Sequence, residues 1–269
     1  MKNVLFFLGI CLFLISCSKD EPWSLDSNIK LNIIAHRGAS FIAPENTVAS
    51  VNLGWTLGAD AAEIDVHLSK DNRVMVIHDG STGRVSDVNH GIKTTNSSVL
   101  RNLDVGIWKD TRYKGEKIPF VEEIIETIPE GKVLIIEIKV GIEILPALKL
   151  AVEKSGKIQQ VMFISFGWRT ILETKQLFPD NRCYWLVQTK DDLYTYISQC
   201  KENGIDGVCM QAKIVNDEVM NKVSQHGLDA VAWTVNELPE AQRIIDHGIT
   251  NIMTDHPGWL REELERKPQ

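Results

Sequence analysis

The sequence holds little that would take it through a bilayer or onto nucleic acid. Its N-terminal apolar run, Val4 to Ile15, has twelve residues, whereas a membrane-spanning helix needs about 20. No basic block interrupts the chain, and the formal charge of -7 becomes -8 without residues 1–16, where Lys2 is the only charge. That balance argues against nucleic acid as a partner. The five cysteines show no metal-binding or redox spacing: beyond Cys11 and Cys17 there remain Cys183, Cys200 and Cys209, an odd number that argues against a disulfide framework. Those three are expected to be small packing residues.

What the N-terminus does carry reads as an export signal. Lys2 precedes the apolar run, which ends in Leu14-Ile15-Ser16-Cys17, similar to the lipobox of bacterial lipoproteins. On that reading residues 1–16 are a signal peptide, Cys17 is lipidated, and residues 17–29 form a tether. Acyl chains on Cys17 would anchor the chain to a membrane without a transmembrane helix. A plain signal-peptidase site beside an unmodified Cys17 is the alternative. The expected location is a bacterial cell envelope; Lys19-Asp20-Glu21, similar to surface-export signals of bacterial lipoproteins, makes the outer membrane or cell surface one candidate, with periplasmic versus surface exposure left open.

At 269 residues, 43% hydrophobic and 24% charged, the chain has the size of one large domain. Short β-branched runs alternate with amphipathic helical segments, which predicts parallel β/α architecture. Nine runs read as strands: Ile33 to His36, Ala62 to Leu68, Val74 to His78, Val133 to Ile138, Val161 to Phe166, Cys183 to Val187, Gly207 to Met210, Ala230 to Val235 and Asn251 to Thr254. The second and third are joined only by Ser69 to Arg73, too short for a parallel crossover, so they should form a hairpin. With its turn centred on Asp71, Leu68 faces Val74, and His78 comes opposite Ile64, within reach of Glu63 and Asp65.

Helices are expected over Asn46 to Leu57, Val121 to Ile128, Trp168 to Phe178, Leu193 to Asn203, Asp217 to His226, Leu238 to His247 and near Pro257 to Arg266. Gly58, Gly204, Gly227 and Gly248 fall where a left-handed residue would end a helix. The expected fold is an α/β protein, a distorted (β/α)8 TIM-type barrel over residues 30–269 with a hairpin-like second and third strand. Residues 80–119 have little periodicity and are expected to be an insertion forming part of a substrate wall, the alternative being a surface excursion with no role.

Barrel enzymes gather their chemistry at strand C-termini, and four clusters sit there. His36-Arg37-Gly38 closes the first strand with a proton-transfer group beside a guanidinium that can grip a phosphate. Glu45 precedes a helix start at Asn46 or Thr47, where capping alone would explain it. Glu63 and Asp65, two apart on a strand, share one face, and buried paired acids repel unless a cation or proton intervenes. His78-Asp79 lies on the hairpin's second strand, and Glu137-Ile138-Lys139 ends the next long run. Glu63, Asp65 and Glu137 make an all-oxygen set suited to one divalent cation, Mg2+ or Ca2+; a Glu137–Lys139 ion pair without metal is the alternative.

In this order and spacing, His36-Arg37-Gly38, Pro44-Glu45-Asn46-Thr47, Glu63-x-Asp65, His78-Asp79 and Glu137-x-Lys139 resemble the signature of the glycerophosphodiester phosphodiesterases. Later segments are similar too: Leu103-Asp104-Val105-Gly106, Ile118-Pro119-Phe120-Val121-Glu122-Glu123, Ser165-Phe166, Trp233-Thr234-Val235-Asn236 and Thr254-Asp255-His256-Pro257. The resemblance implies hydrolysis of small glycerophosphodiesters to glycerol 3-phosphate and an alcohol. It assigns His36 and His78 as acid and base, Glu63, Asp65 and Glu137 as metal ligands, and Arg37 and Lys139 as phosphate contacts. Glu45 and Trp233 match family positions near the substrate. After Asp79 the chain reads Gly80-Ser81-Thr82-Gly83-Arg84 and departs from the family's frequent Arg-Thr-Thr stretch. Lysophospholipids or phosphoinositides are alternative substrates, and a surface lipoprotein that binds phosphodiesters without turnover is an alternative of another class.

Overall fold

In a computed structural model of the chain, residues 25 and 29–266 are described. The expected signal peptide, Cys17 and nearly all of the tether lie outside them. The strands are β1 (Asn32–Ala35), β2 (Ala61–Leu68), β3 (Val74–Val76), β4 (Val133–Ile138), β5 (Val161–Ser165), β6 (Cys183–Val187), β7 (Gly207–Gln211), β8 (Asp229–Trp233) and β9 (Asn251–Thr254). Eight of them are parallel and close into a ring, β1-β2-β4-β5-β6-β7-β8-β9 and back to β1.

The ninth strand, β3, stays outside the ring. It runs antiparallel to β2 with Leu68 opposite Val74 and Val66 opposite Val76, the register the short link dictates. The ladder ends at Val76, but the Ile77 amide donates to the Asp65 carbonyl at 2.9 Å and carries the chain on to His78 alongside β2.

The helices are α1 (Val48–Thr56), α2 (Ser97–Leu100), α3 (Val121–Glu126), α4 (Leu145–Lys154), α5 (Trp168–Leu177), α6 (Lys190–Glu202), α7 (Asp217–Gln225), α8 (Leu238–Asp246) and α9 (Pro257–Glu265). Thr47 caps α1, accepting from the Ser50 amide at 3.2 Å, which frees Asn46 for another role. Sequence reading missed α4. Pro146 sits in its first turn, where proline starts a helix rather than breaking one. All four predicted glycines after helices have positive φ, between 63° and 88°.

Strand alternation sorts side chains into two apolar layers. Ile33, Ile64, Ile136 and Phe163 face outward and pack with Val51, Ile171 and Leu193 of the helices. Ile34, Ile135, Met162, Ile164, Leu186 and Met253 fill the barrel interior. Residues 80–119 are not structureless: Val85, Ile92, Leu100, Val105 and Ile118 form a small core of their own against Met75 and Ile77. Cys183, Cys200 and Cys209 are free and buried.

Candidate active site

On β2 and β4 the inward residues change from apolar to polar toward the C-terminal end. On β2 the sequence on one face is Ala61, Glu63, Asp65, His67; on β4 it is Val133, Ile135, Glu137, with Lys139 just beyond. Parallel register sets Asp65 beside Glu137 and Glu63 beside Ile135. One ligand atom from each of Glu63, Asp65 and Glu137 lies within 4.8 Å of the others, and all three side chains are buried. Glu63 Oε1, Asp65 Oδ1 and Glu137 Oε1 accept no hydrogen bond. The Lys139 ammonium lies 2.8 Å from Glu137 Oε1 and 3.3 Å from Asp65 Oδ1, offsetting charge without meeting hydrogen-bond geometry.

Electrostatics divides the three acids. Burial pushes Glu63 well above the carboxylate range, and the charges of Asp65 and Glu137 push it further. Burial and then Asp65 push Glu137 up to about 7. Burial acts on Asp65 in the same direction, but Lys139 and Arg37, with a 2.7 Å hydrogen bond from Asn46 Nδ2, hold it down at about 2. Three buried carboxylates with unfilled oxygens and mutual repulsion fit a hard divalent cation, which these oxygens can hold.

Two histidines stand over this cluster. His36 Nδ1 pairs with Asp255 Oδ1 at 2.6 Å, and Asp255 also accepts from Ser40 Oγ at 3.0 Å and Asn236 Nδ2 at 2.6 Å. These bonds fix the imidazole and leave Nε2 as its free nitrogen. His78 Nδ1 pairs with Asp79 Oδ1 at 2.7 Å. Burial lowers the His78 pKa, with Arg37 and Lys139 adding to it against the opposing pull of Asp65. Both histidines line one cavity of about 160 Å³ with Arg37, Glu137 and Lys139, against an apolar wall of Ile164, Phe166, Leu186, Trp233 and Met253. A larger cavity, about 450 Å³, opens at the opposite end of the barrel among Lys30, Asp60, Lys132 and Arg182. It contains neither histidine nor the acid cluster, and it lies at the N-terminal ends of the strands, the end that serves stability rather than chemistry.

The sequence profile of the Glycerophosphoryl diester phosphodiesterase family matches residues 36–259. The chain belongs to this family. It is 31% identical over 235 residues to YhdW of Bacillus subtilis, covering 85% of this chain and 96% of that one. It is 29% identical over 244 residues to a glycerophosphodiester phosphodiesterase of Caldanaerobacter subterraneus, covering 86% and 97%. Among solved structures it is similar to an Oleispira antarctica phosphodiesterase in complex with the product sn-glycerol-3-phosphate. The TM-score is 0.81 and the identity 26%, over 88% of this chain and 98% of that one.

Within this phosphodiesterase barrel, Arg37 is held rather than free. Its backbone has φ 55°, its amide donates to Glu63 Oε2 at 2.9 Å, and its Nη1 donates to Glu45 Oε1 at 3.0 Å. Glu45 therefore reaches the site through Arg37 and does not join the acid cluster. Gly38 beside it has φ 79° and packs so closely that a Cβ there would lie 2.4 Å from the Ser50 carbonyl carbon. Trp233 lies edge-on to Phe166 at 5.7 Å, its indole donating to the Cys209 carbonyl at 3.1 Å.

Four residues went unassigned in the sequence. Asp255 orients His36; its signal was its place at the end of the last strand, inside Thr254-Asp255-His256-Pro257. Asn46 donates to Asp65 and accepts from the Asp65 amide at 3.0 Å, hidden within what read as a helix cap. His67 is hydrogen-bonded to the His78 carbonyl at 3.0 Å, and its position two beyond Asp65 on the same face was legible. Arg84 forms paired bonds of 2.7 Å to both Glu45 oxygens and one of 2.6 Å to Asp79 Oδ2. Nothing in the local sequence of its loop signals that reach.

Proposed function

We propose that the chain hydrolyses glycerophosphodiesters to glycerol 3-phosphate and an alcohol, with metal dependence and with His36 and His78 as acid and base. The observation that carries this reading is the pair of imidazoles, each held at Nδ1 by a carboxylate, lining one cavity together with a buried acid cluster. Phosphate binding alone requires charge, not two oriented proton carriers, so a purely binding role is disfavoured. Glu63, Asp65 and Glu137 would hold a Mg2+ or Ca2+ ion, which when bound supplies positive charge toward the phosphate and acidifies a coordinated hydroxyl.

The remaining chemistry belongs to the chain. One histidine takes the proton of the attacking hydroxyl and the other protonates the departing alkoxide. The lowered pKa of His78 keeps it neutral near pH 7, the state a base requires. Arg37 and Lys139 present cationic groups to the phosphate oxygens, already oriented by Glu45, Asp65 and Glu137. The apolar wall of Ile164, Leu186 and Trp233 accommodates carbon rather than charge, and Phe166 at its edge is 42% exposed, which favours lysophospholipid as the second reading.

The test is glycerol 3-phosphate release from glycerophosphocholine, with Mg2+, with Ca2+ and with chelator, and choline release from lysophosphatidylcholine in parallel. Release abolished by chelator and restored by one cation, and reduced by at least about a hundredfold in folded His36→Ala and His78→Ala, is expected. Near-normal rates in either variant would reject the histidine assignment. The envelope lipoprotein reading belongs to the same proposal. Partition of the exported chain into detergent, lost on Cys17→Ser, checks it.

A further inference from the structure

Exposed apolar side chains are concentrated at one end of this barrel. Among the described residues, seven large hydrophobic side chains are exposed. Phe41 and Phe166 follow the C-terminal ends of β1 and β5, and Val88, Val99, Ile107 and Trp108 belong to the insertion. Only Leu150, on α4, lies elsewhere. The insertion is fastened at the mouth end of the barrel. Ser97 binds Asp71 of the hairpin tip through its amide and hydroxyl, both at 2.7 Å, and Lys109 Nζ donates to the Ser40 carbonyl at 2.8 Å. The last bond ties the stretch that carries Ile107 and Trp108 to the loop that carries Phe41, which is 63% exposed and stacks on His256 at 4.6 Å.

Charge is segregated the same way. Residues 80–119 carry seven Lys and Arg against four Asp and Glu, a net +3, in a chain of -7, so the remainder carries -10. Lys114, Lys117 and Arg112 are exposed, on the stretch whose Glu116 carbonyl accepts from the Val105 amide at 2.9 Å, just before Ile107 and Trp108 in the chain. We propose that this face, Phe41, Ile107 and Trp108 with Lys109, Lys114 and Lys117, docks on an anionic phospholipid bilayer. Indole and aliphatic side chains enter the headgroup boundary, flanking cations meet anionic lipid, and the acidic remainder is repelled, which selects the mouth-down orientation. A second copy is the poorer occupant. An isologous contact would set this basic patch against itself, and like charges brought together across an interface oppose association.

The experiment is co-sedimentation of the full chain with vesicles of phosphatidylcholine alone and of phosphatidylcholine with phosphatidylglycerol. Hydrolysis of soluble glycerophosphocholine and sedimentation velocity without vesicles are measured alongside. Any binding through the N-terminal apolar run is common to all variants and subtracts in the comparison. Expected are tighter binding to anionic vesicles, weakened by salt, and about a 25-fold loss in Lys114→Gln/Lys117→Gln, at about fivefold per cation. Ile107→Ser should lose binding as well, Leu150→Ser should not, and all should keep soluble turnover. Equal binding to both vesicle types, an equal loss in Leu150→Ser, or no change in the lysine and Ile107 variants would overturn the proposal. Self-association that Ile107→Ser abolishes would overturn it in favour of a second copy. These readouts do not require turnover, so failure of docking and failure of the phosphodiesterase reading are separable.

Discussion

Removing one negative charge from the buried acid cluster should stabilise the chelated protein above neutral pH, and the structure sets the scale. Burial and the charge on Asp65 push Glu137 up to about 7, from an ordinary 4.5. That gap of about 2.5 units corresponds to about 3 kcal/mol. Below about pH 4.5 the Glu137 carboxyl is protonated whether the chain is folded or not, and nothing is lost. Between that pH and about 7 the unfolded chain releases the proton while the folded chain keeps it, so stability falls as pH rises. Glu63 acts in the same direction. Asp65, at about 2, has the opposite sign, and its contribution is lost only as pH falls below its ordinary 3.8. His67 and His78, both depressed by burial, oppose the trend within the window. The informative quantity is therefore the difference between the wild type and Glu137→Gln, which keeps the shape and loses the charge. Followed by circular dichroism in chelator, the wild-type Tm should fall relative to the variant by about 6–12 °C between pH 5 and 8. Mg2+ or Ca2+ should restore the wild type at pH 8 and leave the variant unmoved. Parallel pH curves for the two proteins, or a variant less stable than wild type at pH 8 in chelator, would refute the reasoning.

Asp255→Asn puts an amide where His36 Nδ1 needs an acceptor, so kcat should fall by about a hundredfold with KM little changed. Asp79→Asn, at a side chain 34% exposed, should lose nearer tenfold; steady-state kinetics separates them, and losses in the reverse order would contradict the ranking. Arg84→Gln should lower kcat/KM by about tenfold and move the acid limb of the pH–rate profile, with Arg84→Lys recovering part. A pH profile that stays in place would leave Arg84 a purely structural brace. Gly38→Ala forces a side chain into a left-handed φ of 79° and against the Ser50 backbone; a loss of about 3 kcal/mol or more in urea unfolding is expected, and a midpoint near wild type would be at odds with the packing.

The barrel was legible because two periodicities alternate along the chain and four of the helices are punctuated by a glycine where they end. The hairpin followed from arithmetic: five residues between runs leave no room for a crossover, and Leu68 does face Val74. The acid cluster was legible because Glu63 and Asp65, two apart on a strand, share one face, and a structural strand seldom turns two acids inward. The helix at Leu145–Lys154 was hidden because its first turn continues an apolar stretch and contains a proline. Asp255 and Arg84 were invisible for a different reason. Their work is done across 219 residues in one case and 39 in the other, and local pattern carries no information about such partners.

The two histidines are supported by unlike materials, and this bears on how the site can vary. His36 closes β1, and its partner Asp255 follows β9, the strand hydrogen-bonded to β1; Ser40 and Asn236 complete a cage built entirely from the barrel rim. His78 ends the hairpin outside the ring, and its partner Asp79 is tied by Arg84 to Glu45 and so to Arg37. Arg84 belongs to the insertion, the segment with its own small core and its own excess of positive charge. One histidine is thus set by the closed sheet and the other by a loop that packs semi-independently. Changes in the insertion can retune His78 and Arg37 together, while His36 keeps its place as long as β1 and β9 stay paired.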